Sequence, residues 1–529
     1  MGADVTRRYS MIDSNLLFRR QFVLTDRPCP DLAHWTQRAF DTRRLYVHPD
    51  VELTAATSHR NASAVLIGYA LDPAHPERSN RDVLDDLLTC VDGPGQVARY
   101  LRRLSGRFVL VITLGYDTLA FHDPCGLRSV FYVQRDGRLH LGSQPSILQR
   151  AVRLEGTKTL RLYQRSQYSR RLEAWLPAGC GLYKGVGQLL PNHFLRLSTA
   201  TQQRYWPDRP IVRRNADEAA VEAANLLRRV VLAARARFEL ALPLTAGRDS
   251  RLILAACRDI AQEVFYYTLQ YRELVPSSWD IAVPAKLLRS LGLGHHVIDC
   301  RQPIDPAFAE VYAASNALAQ VDDWGTIASA MRSAYPDRRV CLKGNCAEIC
   351  RCAYYKTGKH APITNASDLV SRIAGGNELP FVLEQMDGWF SQAQPAAKAA
   401  GMDILDLFYW EHRMGSWQAQ SQREWDLVQE TFSPFNHRQL LETMLGVPVG
   451  SRCAPDYALY HRMFQALWPA VLCQPLNPPS GARSRAKRIL LRLGLKDAAA
   501  GAYRAMRRRC RTSTGAPPMG TPENPPKRL

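Results

Sequence analysis

Apolar residues in the first 207 positions fall in short runs that are separated by turn residues, a pattern typical of β-strands. The clearest of these runs are AVLIGY (64–69), FVLVITL (108–114) and TLAFHD (118–123). The segment GLRSVFYVQRDGRLHLGS predicts a hairpin that turns at Asp136 and Gly137. We therefore predict an N-terminal half rich in antiparallel strands that ends near Trp206.

The pattern changes after Pro207, where segments of helix length alternate with segments of strand length. Residues 215–236 predict a helix, with Asn215 or Asp217 as its N-cap. Predicted strands at 238–244, 263–271 and 295–300 then alternate with predicted helices at 251–260 and 279–293. This alternation indicates a parallel α/β sheet with right-handed crossovers. Beyond about residue 365 the pattern is mainly helical.

Charge is concentrated at the C-terminus. The chain has a formal net charge of +20, and residues 482–529 carry 13 Lys and Arg against 2 Asp and Glu. The last 15 residues, GAPPMGTPENPPKRL, are rich in proline and predict disorder. We predict three parts: 1–207, 208–481 and a basic, partly disordered tail at 482–529. Such a tail suits an anionic partner, or it only adds solubility.

Composition excludes several classes of protein. With 529 residues, 46% hydrophobic and 22% charged, the chain has the balance of a globular protein of several domains. No apolar run is long enough to predict a transmembrane helix, and the first residues lack the apolar core of a secretion signal. The 13 cysteines are scattered and odd in number, which favours reduced thiols and a cytoplasmic protein. The sequence does not indicate an oligomeric state.

The segment of greatest chemical interest is the predicted turn between the strand at 238–244 and the helix that follows it. It consists of Thr245, Ala246, Gly247, Arg248, Asp249 and Ser250. Small residues and a helix N-terminus can hold an anion, and a carboxylate beside that anion suggests a bridging divalent cation. The turn therefore predicts a magnesium–polyphosphate site. The alternative is a polar strand–helix turn with an N-cap aspartate.

This turn resembles the pyrophosphate loop Ser-Gly-Gly-x-Asp-Ser of the N-type ATP pyrophosphatases, and specifically of the asparagine synthetase family. Further segments resemble landmarks of that family in the family's order: SGRFVLVI (105–112), HDPCGLRSVFY (122–132), GSQPSIL (142–148), LLPNHFLRL (189–197) and RYW (204–206). The resemblance covers roughly residues 90–475. It implies a glutaminase-like N-terminal domain of the N-terminal-nucleophile (Ntn) type, followed by an α/β ATP pyrophosphatase domain with a helical C-terminal part.

The N-terminal domain departs from the family at its nucleophile. Glutamine-hydrolysing relatives begin with a cysteine that attacks glutamine and uses its own amino group as base. This sequence begins Met-Gly-Ala-Asp, and its first cysteine is Cys29. We therefore expect a degenerate glutaminase-like domain that does not produce ammonia from glutamine.

The second acidic loop of the family resembles KGNCAEICRCAYY (343–355). With Gly344 matched to the family's first glycine, Glu348 takes the place of its metal-binding aspartate, whereas Asn345 and Ile349 replace two other acids. The resemblance implies that Asp249 and Glu348 together hold one Mg²⁺. The four nearby cysteines lack the paired spacing of zinc or iron–sulfur sites, which favours buried thiols over a metal centre. They are Cys341, Cys346, Cys350 and Cys352.

Two further positions follow from the same resemblance. A family lysine that stabilises the adenylated intermediate corresponds to Tyr457, which would donate a hydrogen bond without a fixed charge. Residues that could supply the missing charge are Lys343, Arg452, His461 and Arg462. Arg413, in WEHRMGSW (410–417), resembles an arginine near the family's acceptor pocket. It binds the acceptor carboxylate or, alternatively, packs in a salt bridge.

The resemblance implies an ATP-dependent ligase or cyclase with Mg²⁺ as cofactor. A small-molecule or peptide carboxylate would be adenylated and passed to an amine or ammonia, with release of AMP and pyrophosphate. Relatives with this chemistry include β-lactam synthetases and lasso-peptide cyclases. The alternatives are an asparagine synthetase proper, dependent on glutamine or ammonia, and a catalytically silent binding scaffold.

Overall fold

A computed structural model describes residues 15–58, 62–171, 174–177, 179, 181–316, 323–336, 338–373, 376 and 379–479. Contacts group the chain into a compact unit that ends at Asn477 and a second unit that begins at Pro478. The predicted tail at 482–529 lies outside the described residues. The predicted boundary between residues 207 and 208 falls inside the first unit and stays a prediction.

Two antiparallel sheets of six strands each form the first half of the fold. Strands are numbered along the chain. The first sheet has the order β10-β8-β9-β1-β3-β2 and contains β1 (Phe22–Thr25), β2 (Thr36–Phe40), β3 (Arg43–Val47), β8 (Phe131–Arg135), β9 (Arg138–Gly142) and β10 (Val186–Gln188). The second has the order β12-β11-β7-β6-β5-β4 and contains β4 (Leu53–Thr57), β5 (Ser63–Leu71), β6 (Ser105–Leu114), β7 (Asp117–His122), β11 (His193–Arg196) and β12 (Thr201–Arg204). The predicted antiparallel, strand-rich N-terminal half is confirmed.

Strand β6 shows why its sequence is apolar without alternation. Leu110 points to a core shared with the helices Asn80–Cys90 and Pro94–Leu101. Its neighbour Val111 points the opposite way, into a core shared by the two sheets. Because both faces of the strand are covered, the five consecutive positions 108–112 are all apolar.

The predicted hairpin is also present. Strands β8 and β9 pair antiparallel and are joined by Asp136 and Gly137, with φ angles of 52° and 73°. Positive φ at both central residues is the geometry of a type I′ turn, in which Asp and Gly are favoured.

A five-stranded parallel sheet forms the second half. Its strands are β13 (Leu240–Pro243), β14 (Phe265–Gln270), β15 (His296–Asp299), β16 (Val340–Leu342) and β17 (Thr431–Phe432), in the order β15-β14-β13-β16-β17. The first three strands lie where the sequence predicts them. With helices filling most of the chain after residue 365, the predicted fold class is confirmed.

Helices of the first half are Asn80–Cys90, Pro94–Leu101, Pro145–Leu148 and Lys158–Arg165. Those around the parallel sheet are Ala216–Arg237, Arg248–Ala256, Trp279–Ser290, Pro306–Ser315 and Trp324–Ala334. The C-terminal part contains Ala366–Val370, Pro380–Ala400, Ile404–Phe408, a π-helix Tyr409–Gln418, Ala419–Trp425, Arg438–Leu445, Val449–Arg452 and Ala458–Leu467. Within the described ranges, none of these helices combines the length and apolar character that crossing a bilayer would require.

The cap of the helix Ala216–Arg237 allows a direct test of the sequence prediction. The Asn215 side chain accepts a hydrogen bond of 2.8 Å from the Asp217 N–H. We expect Asn215→Ala to lower the free energy of unfolding by about 1 kcal/mol, measured by urea denaturation, because one helix N–H loses its partner. Asn215→Gly should lower the free energy of unfolding by only about a few tenths of a kcal/mol. Equal losses in the two variants would contradict a capping role for the Asn215 side chain.

Candidate active site

Two loops meet at the carboxyl edge of the parallel sheet. The first loop, residues 245–250, follows β13 and includes the first residues of the helix Arg248–Ala256, which begins three residues earlier than predicted. The second loop, residues 343–348, follows β16. Since β13 and β16 are neighbours, their loops emerge side by side. Gly344 marks the closest approach: a Cβ there would lie 3.0 Å from the Asp249 Cβ atom. A larger residue at 344 would require Asp249 or the backbone of Ser250 to shift.

The loops bring Asp249 and Glu348 to one place. A single arginine contacts both: Arg351 Nη2 lies 2.9 Å from Asp249 Oδ2 and 3.7 Å from Glu348 Oε1. The three side chains are 17%, 18% and 21% exposed for Asp249, Glu348 and Arg351 respectively, so the cluster opens partly to solvent. The sequence analysis paired the two acids but missed Arg351, whose spacing of three residues from Glu348 was the available signal.

Each carboxylate keeps one buried oxygen without a hydrogen-bond partner in the described structure, namely Asp249 Oδ1 and Glu348 Oε2. Burial of an unpaired carboxylate oxygen is unfavourable, and such atoms mark a place for a ligand or cation. Carboxylate oxygens are also the ligands that Mg²⁺ prefers. The residues present therefore fit the predicted ion, with phosphate oxygens to complete its coordination.

Burial and mutual repulsion shape the ionisation of the pair. Burial raises the pKa of Asp249, and the charges of Arg351 and Arg248 oppose that rise. Burial, followed by repulsion from Asp249, raises the pKa of Glu348 to about 7. Glu348 is therefore about half ionised at neutral pH, and added positive charge at the site favours its ionised form.

The raised pKa of Glu348 predicts how stability depends on pH. Because the folded protein holds this proton more tightly than the unfolded chain, stability is greatest below the ordinary value of 4.5 and falls as the pH rises through about 7. We expect Glu348→Gln to flatten this part of the stability profile in urea titrations. The exposed Glu384→Gln is the matched control, and an unchanged profile in Glu348→Gln would contradict the assignment.

The backbone of the first loop is held from several sides. The Ala246 N–H donates to Asp280 Oδ1 at 3.0 Å, and the Gly247 N–H donates to Thr245 Oγ1 at 3.0 Å. Ser250 Oγ accepts from the Thr245 N–H at 3.5 Å. Gly247 is the N-cap of the helix Arg248–Ala256 and has no side chain to cap it. The first N–H groups of this helix are therefore the part of the predicted pyrophosphate site available to an anion.

Tyr457 lies beside this loop. The Arg248 guanidinium is 4.0 Å from the centre of the Tyr457 ring, a cation–π contact. Tyr457 has φ 49° and ψ 50°, the left-handed conformation that is uncommon for a bulky residue. Burial raises its pKa, so the hydroxyl stays protonated and can donate a hydrogen bond. Its proposed role in the reaction stays a prediction.

Arg413 lies near the acid pair. Its guanidinium is 3.7 Å from the centre of the Trp417 ring and 5.4 Å from that of Trp175, and its charge acts to lower the pKa of Glu348. The half-buried position on the π-helix Tyr409–Gln418 is compatible with both predicted roles, acceptor binding and packing.

The predicted substitutes for the family lysine lie elsewhere or have other partners. Arg452 is buried and pairs with Asp406 at 3.1 Å, Arg462 pairs with Asp217, and His461 is exposed. The Lys343 ammonium lies 4.5 Å from the centre of the Trp425 ring. The cations at the first loop are instead Arg248, which belongs to it, and Arg351, which contacts Asp249.

The cysteine cluster contains free, buried thiols: Cys341, Cys346, Cys350 and Cys352. Among the residues that the structure describes, no group of three or more His, Cys, Asp and Glu is arranged to hold a metal ion. A cation at the two loops would therefore rely on Asp249, Glu348 and the oxygens of a bound ligand.

No family model matches this sequence, and no curated protein matches it. Among solved structures, glutamine phosphoribosylpyrophosphate amidotransferase from B. subtilis, complexed with ADP and GMP, is similar over 62% of this chain and 90% of its own, with 12% identity and a TM-score of 0.25. A structure described as the allosteric regulatory enzyme of purine biosynthesis is similar over 60% of this chain and 76% of its own, with 12% identity and a TM-score of 0.24.

Proposed function

We propose that this chain is an ATP-dependent carbon–nitrogen ligase that adenylates a carboxylate and transfers the acyl group to an amine. The observation that carries the proposal is the meeting of Asp249 and Glu348 at a helix N-terminus, each with a buried oxygen that lacks a hydrogen-bond partner in the described structure. Two acids beside an anion site would repel a bound polyphosphate unless a divalent cation bridges the negative groups.

Each residue then has a role that follows from its charge and position. The first N–H groups of the helix Arg248–Ala256 bind the departing pyrophosphate, and Arg248 and Arg351 lie beside it to neutralise its charge. Asp249 and Glu348 would hold Mg²⁺, which supplies charge neutralisation on the polyphosphate. Tyr457 donates a hydrogen bond near Arg248. Arg413 orients the acceptor carboxylate.

The proposed reaction has two steps. A carboxylate oxygen of the acceptor attacks the α-phosphorus of ATP, a new O–P bond forms, and the bond to pyrophosphate breaks. An amine nitrogen then attacks the acyl carbon, the C–O bond to AMP breaks, and the amine loses a proton. The products are an amide, AMP and pyrophosphate.

The amine is proposed to be free ammonia or an amino group of a substrate. The thiol nearest in sequence to the start of the chain is Cys29, which is buried, and burial followed by the charge of Asp31 raises its pKa to about 11. A thiol that stays protonated at neutral pH is a poor nucleophile for glutamine. In this proposal the antiparallel sheets support the ligase domain without hydrolysing glutamine.

The test begins with Mg²⁺-ATP as the probe. We expect calorimetry to detect its binding, and we expect labelled pyrophosphate to exchange into ATP only when a suitable carboxylate is added. L-Aspartate, with ammonia, tests the asparagine synthetase alternative, and short peptides with Asp or Glu side chains test the cyclase. Absence of both binding and exchange would overturn the ligase.

One observation favours a second candidate, a catalytically silent binding scaffold. The Arg351 guanidinium already lies between the two acids and partly neutralises them. Such an arginine would compete with Mg²⁺ for the same carboxylates. If the chain is a scaffold, Arg351→Met should show no exchange of pyrophosphate into ATP. If the chain is a ligase, Arg351→Met should slow this exchange while Mg²⁺ still binds.

A further inference from the structure

A second concave site lies between the strands of the first sheet and the helix Ala419–Trp425. This cavity opens to solvent and has a volume of about 90 Å³. Its wall is mostly apolar and aromatic, with a few polar groups. Residues that define it are Phe131, Tyr163, Trp175, Leu176, Gln188 and Arg423.

The feature of interest is Arg423, which is 9% exposed and lines this cavity. Its Nη1 donates to Ser129 Oγ at 3.1 Å and to the Ser143 carbonyl at 3.4 Å. Its Nε is buried and has no hydrogen-bond partner in the described structure. The guanidinium is therefore only partly satisfied by the protein.

The two acids whose charges act on Arg423, Glu424 and Asp426, are held by hydrogen bonds from other residues. Asp426 is held by two hydrogen bonds from Arg107, at 2.5 and 2.7 Å, and Glu424 accepts from the Tyr312 hydroxyl and from Gln420 Nε2 at 3.0 Å. No carboxylate of the described residues lies within ion-pair distance of Arg423. Burial lowers the pKa of Arg423 to about 10, although the charges of Glu424 and Asp426 act to raise it. A buried cation of this kind is unfavourable unless an anion joins it.

We infer that this cavity binds a carboxylate attached to an apolar or aromatic group. The carboxylate would pair with Arg423, whose planar guanidinium matches carboxylate geometry. The rings of Phe131, Tyr163 and Trp175 would cover the apolar part. A single cation in an apolar wall fits one negative charge, whereas a phosphate would need more donors.

This cavity is separate from the loops that carry Asp249 and Glu348, but one of its wall residues also contacts a residue near those acids. Trp175 lines the cavity, and the Arg413 guanidinium lies 5.4 Å from its ring centre. A ligand anchored at Arg423 would therefore lie against Trp175, the ring that Arg413 also approaches. The inference itself does not require ATP chemistry.

The test measures binding to the full chain without nucleotide, with N-acetylphenylalanine as probe. We expect saturable binding by calorimetry, with at least tenfold weaker binding of the neutral N-acetylphenylalaninamide and of inorganic phosphate. A short peptide with a C-terminal phenylalanine carboxylate distinguishes the source: tighter binding than the free acid indicates a peptide, and equal binding indicates a small molecule. Equal binding of acid and amide would overturn the inference.

Variants separate the charge from the shape of the cavity. Arg423→Gln should weaken binding of the acid at least tenfold, and Val186→Trp should block the cavity without touching the arginine, because Val186 lines it. The exposed Arg165→Gln is the matched control and should bind normally. Asp249→Asn should also bind normally, so a failed ligase would not conceal this site. Unchanged binding in both Arg423→Gln and Val186→Trp would contradict the assignment.

Discussion

Asp249→Asn should abolish the proposed exchange of pyrophosphate into ATP. Asp249 provides a buried oxygen without a partner in the described structure, contacts Arg351 at 2.9 Å, and lies at the first turn of the helix that is proposed to bind pyrophosphate. Loss of a group that stabilises developing charge typically slows a reaction by about 10²–10³-fold. We expect at least that loss in the exchange rate, together with weaker binding of Mg²⁺-ATP in calorimetry.

The matched control is Asp259→Asn, a change of the same kind at an exposed aspartate that pairs with Arg228. It should leave exchange and nucleotide binding unchanged. Asp249→Asn should still fold, because it removes a charge that burial already disfavours. If a folded Asp249→Asn variant exchanged pyrophosphate at the normal rate, the proposed site would be wrong.

Arg107→Met should lower the free energy of unfolding more than any of the other substitutions named above. Arg107 lies in β6 and is 2% exposed, and its two terminal nitrogens donate to both carboxylate oxygens of Asp426 at 2.5 and 2.7 Å. Its Nη1 also lies 3.2 Å from Glu430. Removal of the cation would leave the buried Asp426 carboxylate without its main partner, whereas Glu430 would keep Arg128 and Arg20. We expect the free energy of unfolding to fall by about 3–5 kcal/mol.

Chemical denaturation, followed by circular dichroism, measures this effect. Arg81→Met is the matched control, since Arg81 is 60% exposed in its pair with Asp85. Exposed pairs of this kind contribute about 0–1 kcal/mol, so the control should remain near the wild type. A similar small loss in Arg107→Met would show that the buried pair contributes little.

Much of the architecture could be predicted from local pattern. The hairpin at Asp136 and Gly137, the helix cap at Asn215 and strands β13 to β15 depend on turn chemistry and periodicity within a few residues. Strands β16 and β17 were not predicted. They have three and two residues, and they are defined by pairing with distant partners rather than by their own sequence.

The same limit applies to the site. Asp249 and Glu348 were paired through the resemblance of two loops, and the structure places both against Arg351. The contact of Asp280 with the Ala246 N–H and the burial of Arg423 could not be predicted, because each depends on segments that meet only in the folded chain. Local sequence identifies chemical groups, whereas three-dimensional packing decides which of them share a site.

The ion pair of Arg107 has a consequence for synthesis on the ribosome. Arg107 and Asp426 are 319 positions apart, and at ~5–20 residues per second an interval of roughly 16–64 s passes before the second is translated. During that interval the newly made β6 carries a cation destined for the interior with no counter-charge. The nascent N-terminal half should therefore stay incompletely folded and depend on chaperones until the C-terminal helices emerge.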